Sequence, residues 1–300
     1  MKIINIILTL LLFSSAFGQE IPKKEGCIEI MKIRHSFLDN DKGEQTKEIS
    51  NKANKPYLIL YLDSLGNLIE KVGYGKYHNP DLRVLDFVEQ NIFENGRLES
   101  TVHYHTDYNK NINAKYRTIY SYDNSNQLIQ QKMLYFETDS LFLQYDFEYD
   151  NNGNKTKIIF SPREYYIRTF DEKSNLQSIQ QINNNKLQWE RTFSYTDKTI
   201  IKDLKTYYDS DRDYTKQEIS TFKNGKLTKI QDGYTNRDGL SNKTVFHYNQ
   251  RGLLKKIDYF VSYSSYWKYQ LKSYTEIKIK YCKKLTPTLI KKINEVIMNE

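Results

Sequence analysis

One pattern recurs along this chain and restricts its folding more than any other feature. An aromatic residue is followed by a short Asp/Asn/Gly turn, then by leucine and an alternating run. The copies are Tyr61-Leu-Asp-Ser-Leu-Gly-Asn-Leu68, Phe93-Glu-Asn-Gly-Arg-Leu98, Tyr122-Asp-Asn-Ser-Asn-Gln-Leu128, Tyr149-Asp-Asn-Asn-Gly-Asn-Lys155 and Phe170-Asp-Glu-Lys-Ser-Asn-Leu176. Ile182-Asn-Asn-Asn-Lys-Leu187, Phe222-Lys-Asn-Gly-Lys-Leu227 and Tyr248-Asn-Gln-Arg-Gly-Leu-Leu254 continue the series. Asn-Gly and related pairs accept the positive φ that tight hairpin turns demand, most clearly at Asn95-Gly96, Asn152-Gly153 and Asn224-Gly225. The flanks alternate polar and apolar residues, as in Lys226-Leu-Thr-Lys-Ile230 and Thr118-Ile-Tyr-Ser-Tyr122. Each period therefore reads as a hairpin with one buried and one wet face. The expected fold is all-β: antiparallel repeated hairpins forming an extended, curled sheet.

The two ends differ from the repeats. Residues 1–18 read as a secretory signal peptide, with Lys2 as the positive region, Ile3–Phe13 as the apolar core, and Ala16 and Gly18 before the cleavage point. The apolar run is too short to span a bilayer about 30 Å thick. An uncleaved anchor is the alternative. Residues 19–56 form a strand and loop region, 57–285 the repeat domain, and 286–300 a short C-terminal α-helix. Thr286 caps that helix, Pro287 occupies its first position, and Leu289, Ile290, Ile293, Val296 and Ile297 fall on one stripe. It is expected to cover an open sheet end. A membrane-surface helix is the other reading.

Composition narrows the function class. Aromatic residues make up 14% of the chain, including 26 Tyr, which argues against global disorder. The formal net charge is +8. Much of the excess lies in the last segment, where Lys268, Lys272, Lys278, Lys280, Lys283, Lys284, Lys291 and Lys292 face Glu276, Glu295 and Glu300. That patch either meets a polyanion or is an ordinary solvated face. Export argues against nucleic acid as the partner. The two cysteines, Cys27 and Cys282, lie near opposite ends. They form either one disulfide closing almost the whole chain or two free thiols.

The repeats resemble the YD (RHS-type) repeat, whose core is Tyr-Asp-x-x-Gly-x-Leu, most closely at Tyr149-Asp150-Asn151-Asn152-Gly153-Asn154 and Tyr122-Asp123. The shorter Phe93–Leu98 and Phe222–Leu227 copies also look like a MORN-type hairpin repeat. The resemblance runs from about Tyr57 to Phe260. Lys155 stands where the YD pattern has leucine, and several copies lack the glycine. It implies β-strand shells that wrap cargo or bind carbohydrate, and, for the MORN-like copies, an immunity-type protein that neutralises a toxin in the periplasm.

Catalytic patterns are not evident. His103 and His105, at i and i+2, would share a strand face and with Asp107 could ligate a metal, but no metal-binding or nucleophile-elbow motif accompanies them. No catalytic residue, metal or cofactor is assigned. A hydrolase on a β scaffold is the less favoured reading. Tyr263, Tyr266, Trp267 and Tyr269 cluster beside the basic end as a candidate ligand-binding group. Asp63-Ser64-Leu65 and Asp139-Ser140-Leu141 resemble a short O-glycosylation sequon. The expected function is non-catalytic: an exported repeat protein, periplasmic or extracellular, that presents a sheet surface to a protein or glycan partner at the cell envelope.

Overall fold

The structure is a computed structural model, and it describes residues 27–39, 45–49, 56–76, 83–107, 111–206, 215–234, 239–262, 269–282 and 284–300. The expected signal peptide lies outside these residues. In chain order the strands are β1 (Ile28–Asp39), β2 (Gln45–Ile49), β3 (Leu58–Leu62), β4 (Leu68–Lys76), β5 (Arg83–Glu94), β6 (Arg97–Thr106), β7 (Ile112–Tyr122), β8 (Leu128–Tyr135), β9 (Leu141–Tyr149) and β10 (Lys155–Ser161). They continue as β11 (Glu164–Phe170), β12 (Leu176–Asn183), β13 (Lys186–Tyr195), β14 (Thr199–Thr206), β15 (Thr215–Lys223), β16 (Lys226–Tyr234), β17 (Gly239–Tyr248), β18 (Leu254–Ser262) and β19 (Tyr269–Tyr281). One helix, α1 (Pro287–Asn299), follows.

The extended, curled sheet expected from the repeats is corrected in one respect: the sheet is closed. β1 pairs antiparallel with both β19 and β3, and β3 to β19 pair in sequence order. β2 pairs only with the end of β1, so the ring holds the other eighteen strands. Closure needs the N-terminal segment, which carries no copy of the repeat. Ile28 and its neighbours insert between the first and last hairpins and satisfy both free edges.

Each sequence repeat encodes a turn followed by a β-bulge. Asn95-Gly96, Asn184-Asn185 and Asn224-Gly225 are two-residue turns with both residues at positive φ. Asn152-Gly153 belongs to a second kind. At Asp63, Asp123, Asp150, Asp171 and Asn249 the side-chain Oδ1 accepts the backbone N–H groups two and four residues on, at 2.7–3.1 Å. The residue three positions on is left-handed: Gly66, Asn126, Gly153, Ser174 or Gly252. Hydrogen bonds led by the Asn154 and Asn175 amides hold the Asp150 and Asp171 carboxyls below their ordinary range.

The register shifts just before the closing residue of most incoming strands, between Ile92 and Phe93, Ser121 and Tyr122, Thr169 and Phe170, Thr221 and Phe222, and His247 and Tyr248. In the first copy the residue after the shift is Leu62 and not Tyr61. The bulge increases local twist and bends the wall, which helps a long meander to close. The closing tyrosines also tie neighbouring hairpins together. Tyr122, Tyr149, Tyr195 and Tyr248 donate their hydroxyls to the carbonyls of Leu98, Leu128, Leu176 and Leu227, each at 2.8 Å. This gives the aromatic–turn–leucine pattern its mechanics: ring and leucine carbonyl of adjacent hairpins are donor and acceptor. Tyr248→Phe is expected to lower stability by about 1 kcal/mol in urea unfolding, because it deletes a part-buried hydrogen bond that ties two hairpins together.

The stagger of the ladder identifies the inner face. A row of partners runs from Ile30 through Leu60, Lys71, Glu89, His103 and Tyr116 to Tyr135. It starts near the Cys27 end of β1 and finishes at the opposite end of β8. With the fixed right-handed coil of barrel strands, this tilt points these side chains inward. α1 packs on the same face.

The core lies at the barrel seam. Ile28, Ile30, Leu58, Leu60, Leu62, Leu254, Ile257 and Ile277 pack with Leu289, Ile293 and Ile297 of α1. Thr286 caps the helix by accepting the Leu289 N–H, and the expected stripe is the packed one. There is no open sheet end for it to cover. It lies inside the barrel and is gripped from two sides: Lys292 Nζ bonds the Leu65 carbonyl and Asn67, while Asn294 bonds the Leu254 N–H and the Gly252 carbonyl. From β8 through β14 no described side chain is buried, on either face. The expectation of one dry face holds around the helix; a second, smaller buried group, Tyr61, Val72 and Val88, lies on the opposite face of β3 to β5, and elsewhere an eighteen-strand ring is too wide for its inner side chains to meet across it.

Lys32 sits beneath α1, 4% exposed, with Nζ donating to the Ile297 carbonyl at 2.9 Å. Desolvation lowers its pKa to about 8, against an opposing pull from Glu300. Below that value the amine is charged in both folded and unfolded chains. Between about 8 and its ordinary 10.5 the folded chain binds fewer protons, so stability is expected to rise with pH across that window. Lys32→Met should flatten the rise in urea unfolding measured from pH 7 to 10.

Candidate ligand-binding wall of the barrel

Opposite in composition to the apolar seam is the inner wall formed by β9 to β13. Alternation points Tyr145 and Phe147 of β9, Phe160 of β10, Tyr166 and Arg168 of β11, Gln181 of β12, and Trp189 and Arg191 of β13 to the same side. The rings touch in series. Tyr145–Phe160 centroids are 4.9 Å apart, Phe160–Tyr166 4.7 Å and Tyr166–Trp189 5.6 Å, with tilted or edge-on planes. A second group, Tyr116, Tyr135 and Phe142, extends the lining across β7 to β9 at 4.9–5.5 Å.

Three cations border the series. Lys155 lies 3.9 Å from the centre of the Phe147 ring, and Arg191 lies 5.9 Å from that of Trp189. Arg168 has a buried Nε with no hydrogen-bond partner. Desolvation lowers the pKa of both Lys155 and Arg168, and the Arg168 charge adds to the effect on Lys155. Among the described residues none of the three has a carboxylate partner within ion-pair distance. Three other inner cations do: Lys71 pairs with Glu89 and Glu300, Lys202 with Glu218 at 2.6 Å, and Lys216 with Asp232 at 3.5 Å.

The residues singled out from sequence fall elsewhere. Tyr263, Tyr266 and Trp267 lie outside the described residues. Tyr269 is on the outer face, where it donates to the Leu240 carbonyl and accepts from Gln231, with Lys243 4.4 Å from its ring centre. Cys27 and Cys282 are joined as a disulfide, with Cα atoms 5.1 Å apart. Of the two states left open, the bonded one is present. A disulfide of this kind belongs to a non-cytoplasmic protein. His103 and His105 do point to one face, but their partners differ: His103 meets Thr118 and Glu89, and His105 lies edge-on to Tyr116. Asp107 accepts the Asn111 N–H within its own turn. The inner wall left one trace in the sequence, the ring–x–cation pairs Tyr166-Ile-Arg168 and Trp189-Glu-Arg191 in adjacent hairpins. Their significance depends on strand parity.

Among the described residues of β8 to β17, charged side chains interrupt both faces where a membrane-spanning barrel would turn an apolar band to lipid. Lys132, Asp146, Lys157, Glu190 and Lys243 stand mid-strand outside, and Arg168, Lys202, Glu218 and Asp232 inside. Among the described residues no helix is long and apolar enough to cross a membrane.

Comparison with known proteins supplies no family. No family model matches, and no curated protein matches. Among solved structures, a porin-like protein from Bacteroides uniformis aligns over 87% of this chain and 98% of its own, at 9% identity and a TM-score of 0.42. A chain of the TcdB2–TccC3–Cdc42 structure aligns over 83% of this chain and 16% of its own, at 13% identity and a TM-score of 0.34. This chain therefore spans only a small part of that second structure's length. Both scores are too low to say more than that β-rich, repeat-like chains resemble it.

Proposed function

We propose that this chain is an exported, non-catalytic binding protein that receives a glycan or protein partner at the cell envelope on the inner wall of its barrel. The observation that carries the reading is the run of half-exposed rings from Tyr145 to Trp189. In a packed core such rings would be buried. Here they line a space too wide to be filled by the protein's own side chains. Rings with amide and guanidinium neighbours offer a sugar both an apolar face and hydrogen-bond donors.

A glycan array probed with the mature protein tests the reading, with Trp189→Ala and Trp267→Ala as parallel variants. Binding lost in Trp189→Ala and kept in Trp267→Ala is the expected result. The reverse would return the site to the aromatic cluster around Tyr263, Tyr266 and Trp267. No bound glycan, or binding indifferent to Trp189, would remove the inner wall from consideration.

A further inference from the structure

Resting on that reading, we infer that the β9–β13 wall binds an acidic saccharide, whose carboxylate is taken by Arg168 with Lys155 and whose pyranose ring lies against Phe160, Tyr166 and Trp189. The charge arrangement carries this. Lys202 and Lys216 on the same inner surface sit beside their acids. Lys155 and Arg168 instead stand on adjacent strands at the same level of the wall, β10 and β11 being paired there through Lys157↔Ile167, with no acid between them among the described residues. The acid on this stretch of inner wall, Glu164, is engaged by the Gln181 amide at 3.0 Å.

Holding two cations together with one guanidinium N–H buried and unbonded costs free energy that folding does not recover. A carboxylate would relieve both costs. It would offer Arg168 a charge-assisted acceptor and screen Lys155 from it. The adjoining rings narrow the ligand further. A simple inorganic anion has no surface to set against Tyr166 and Trp189, whereas a uronic acid carries its carboxylate directly on a pyranose ring. The outward-facing residues beside this wall do not share the excess, since Glu148 pairs with Lys157 there.

The test is titration calorimetry of the full mature protein with an oligogalacturonate and with a neutral galacto-oligosaccharide of equal length. The expected result is binding of the acidic probe alone. Its affinity should fall at least about tenfold in Arg168→Gln or in Lys155→Gln, and should weaken as ionic strength rises. Trp189→Ala should lose it too. Thermal unfolding of each variant checks the fold, and because Lys155 and Arg168 are changed separately, misfolding of one leaves the other as the measurement. Equal binding of both probes, lost in Trp189→Ala but kept in Arg168→Gln, would overturn the acidic specificity and leave the binding wall standing. Binding of neither probe, or acidic binding unaffected by both cation variants, would overturn the inference itself.

Discussion

Serine at both Cys27 and Cys282 is expected to reduce the unfolding free energy by about 5 kcal/mol, the upper end for a single disulfide. The two residues are 255 positions apart in sequence. Reducing the bond therefore releases nearly the whole chain in the unfolded state, and the entropy of loop closure grows with loop length. The location adds to the effect. The bond joins the end of β19 to the start of β1, next to the register Ile28↔Tyr281, and the Cys282 N–H also bonds the Cys27 carbonyl at 2.9 Å. This is the seam where the barrel closes, and every other ladder in the ring except β1–β3 joins strands close in sequence. Guanidinium unfolding of the wild type and the double serine variant, under oxidising conditions, measures the difference. Coincident midpoints would mean that the β1–β19 ladder and the α1 core close the barrel without the covalent tie.

Ile293→Ala is expected to cost about 2–5 kcal/mol. Ile293 is fully buried at the centre of the only apolar cluster in which helix and strands meet among the described residues. Deleting its outer carbons leaves a cavity between α1 and the β1 and β3 side chains. Rearrangement cannot fill it easily, because Lys292 and Asn294 on either side are bonded to the turns at Leu65–Asn67 and Gly252–Leu254. Lys291→Ala, two residues away on the exposed side of the helix, should change stability by less than about 0.5 kcal/mol. Urea unfolding of the two variants makes the comparison. Equal effects would show that the helix is only loosely attached, and the seam would then depend on strand pairing and the disulfide alone.

Much of the fold was legible in the sequence because its information is local. Positive φ at Asn95, Asn224 and Gly153 is a property of the residues themselves, and so is the capping of α1 by Thr286. Strand polarity followed from period-two alternation. The finer turn chemistry was only half visible: Asn152-Gly153 looked like its two-residue relatives, but the decisive group is the Asp150 carboxylate, which reaches across its own loop. The ring slot of the first copy was misplaced by one residue, since Leu62 fills it under the helix, where a tyrosine hydroxyl would be cut off from water.

The candidate site was much less legible. Tyr263, Tyr266, Trp267 and Tyr269 stand out because they are neighbours in sequence. Tyr145, Phe160, Tyr166 and Trp189 are scattered over some forty-five positions (145 to 189) and become neighbours only when five strands lie side by side. Likewise Lys155 and Arg168 look like two of many surface cations until pairing shows which carboxylates face inward and which outward.

Sequence by itself determined the strands, the places where the chain reverses and the stripe by which the helix packs, since each depends on contacts within a few residues. Closure was decided only in three dimensions. Whether a meander ends in two free edges or in a ring depends on the sum of many small bulge-driven bends, and on whether β1 can reach β3 and β19 at once. That same closure sorted every alternating residue into inside or outside, and so assembled an aromatic, cation-rich wall from residues with no closeness along the chain.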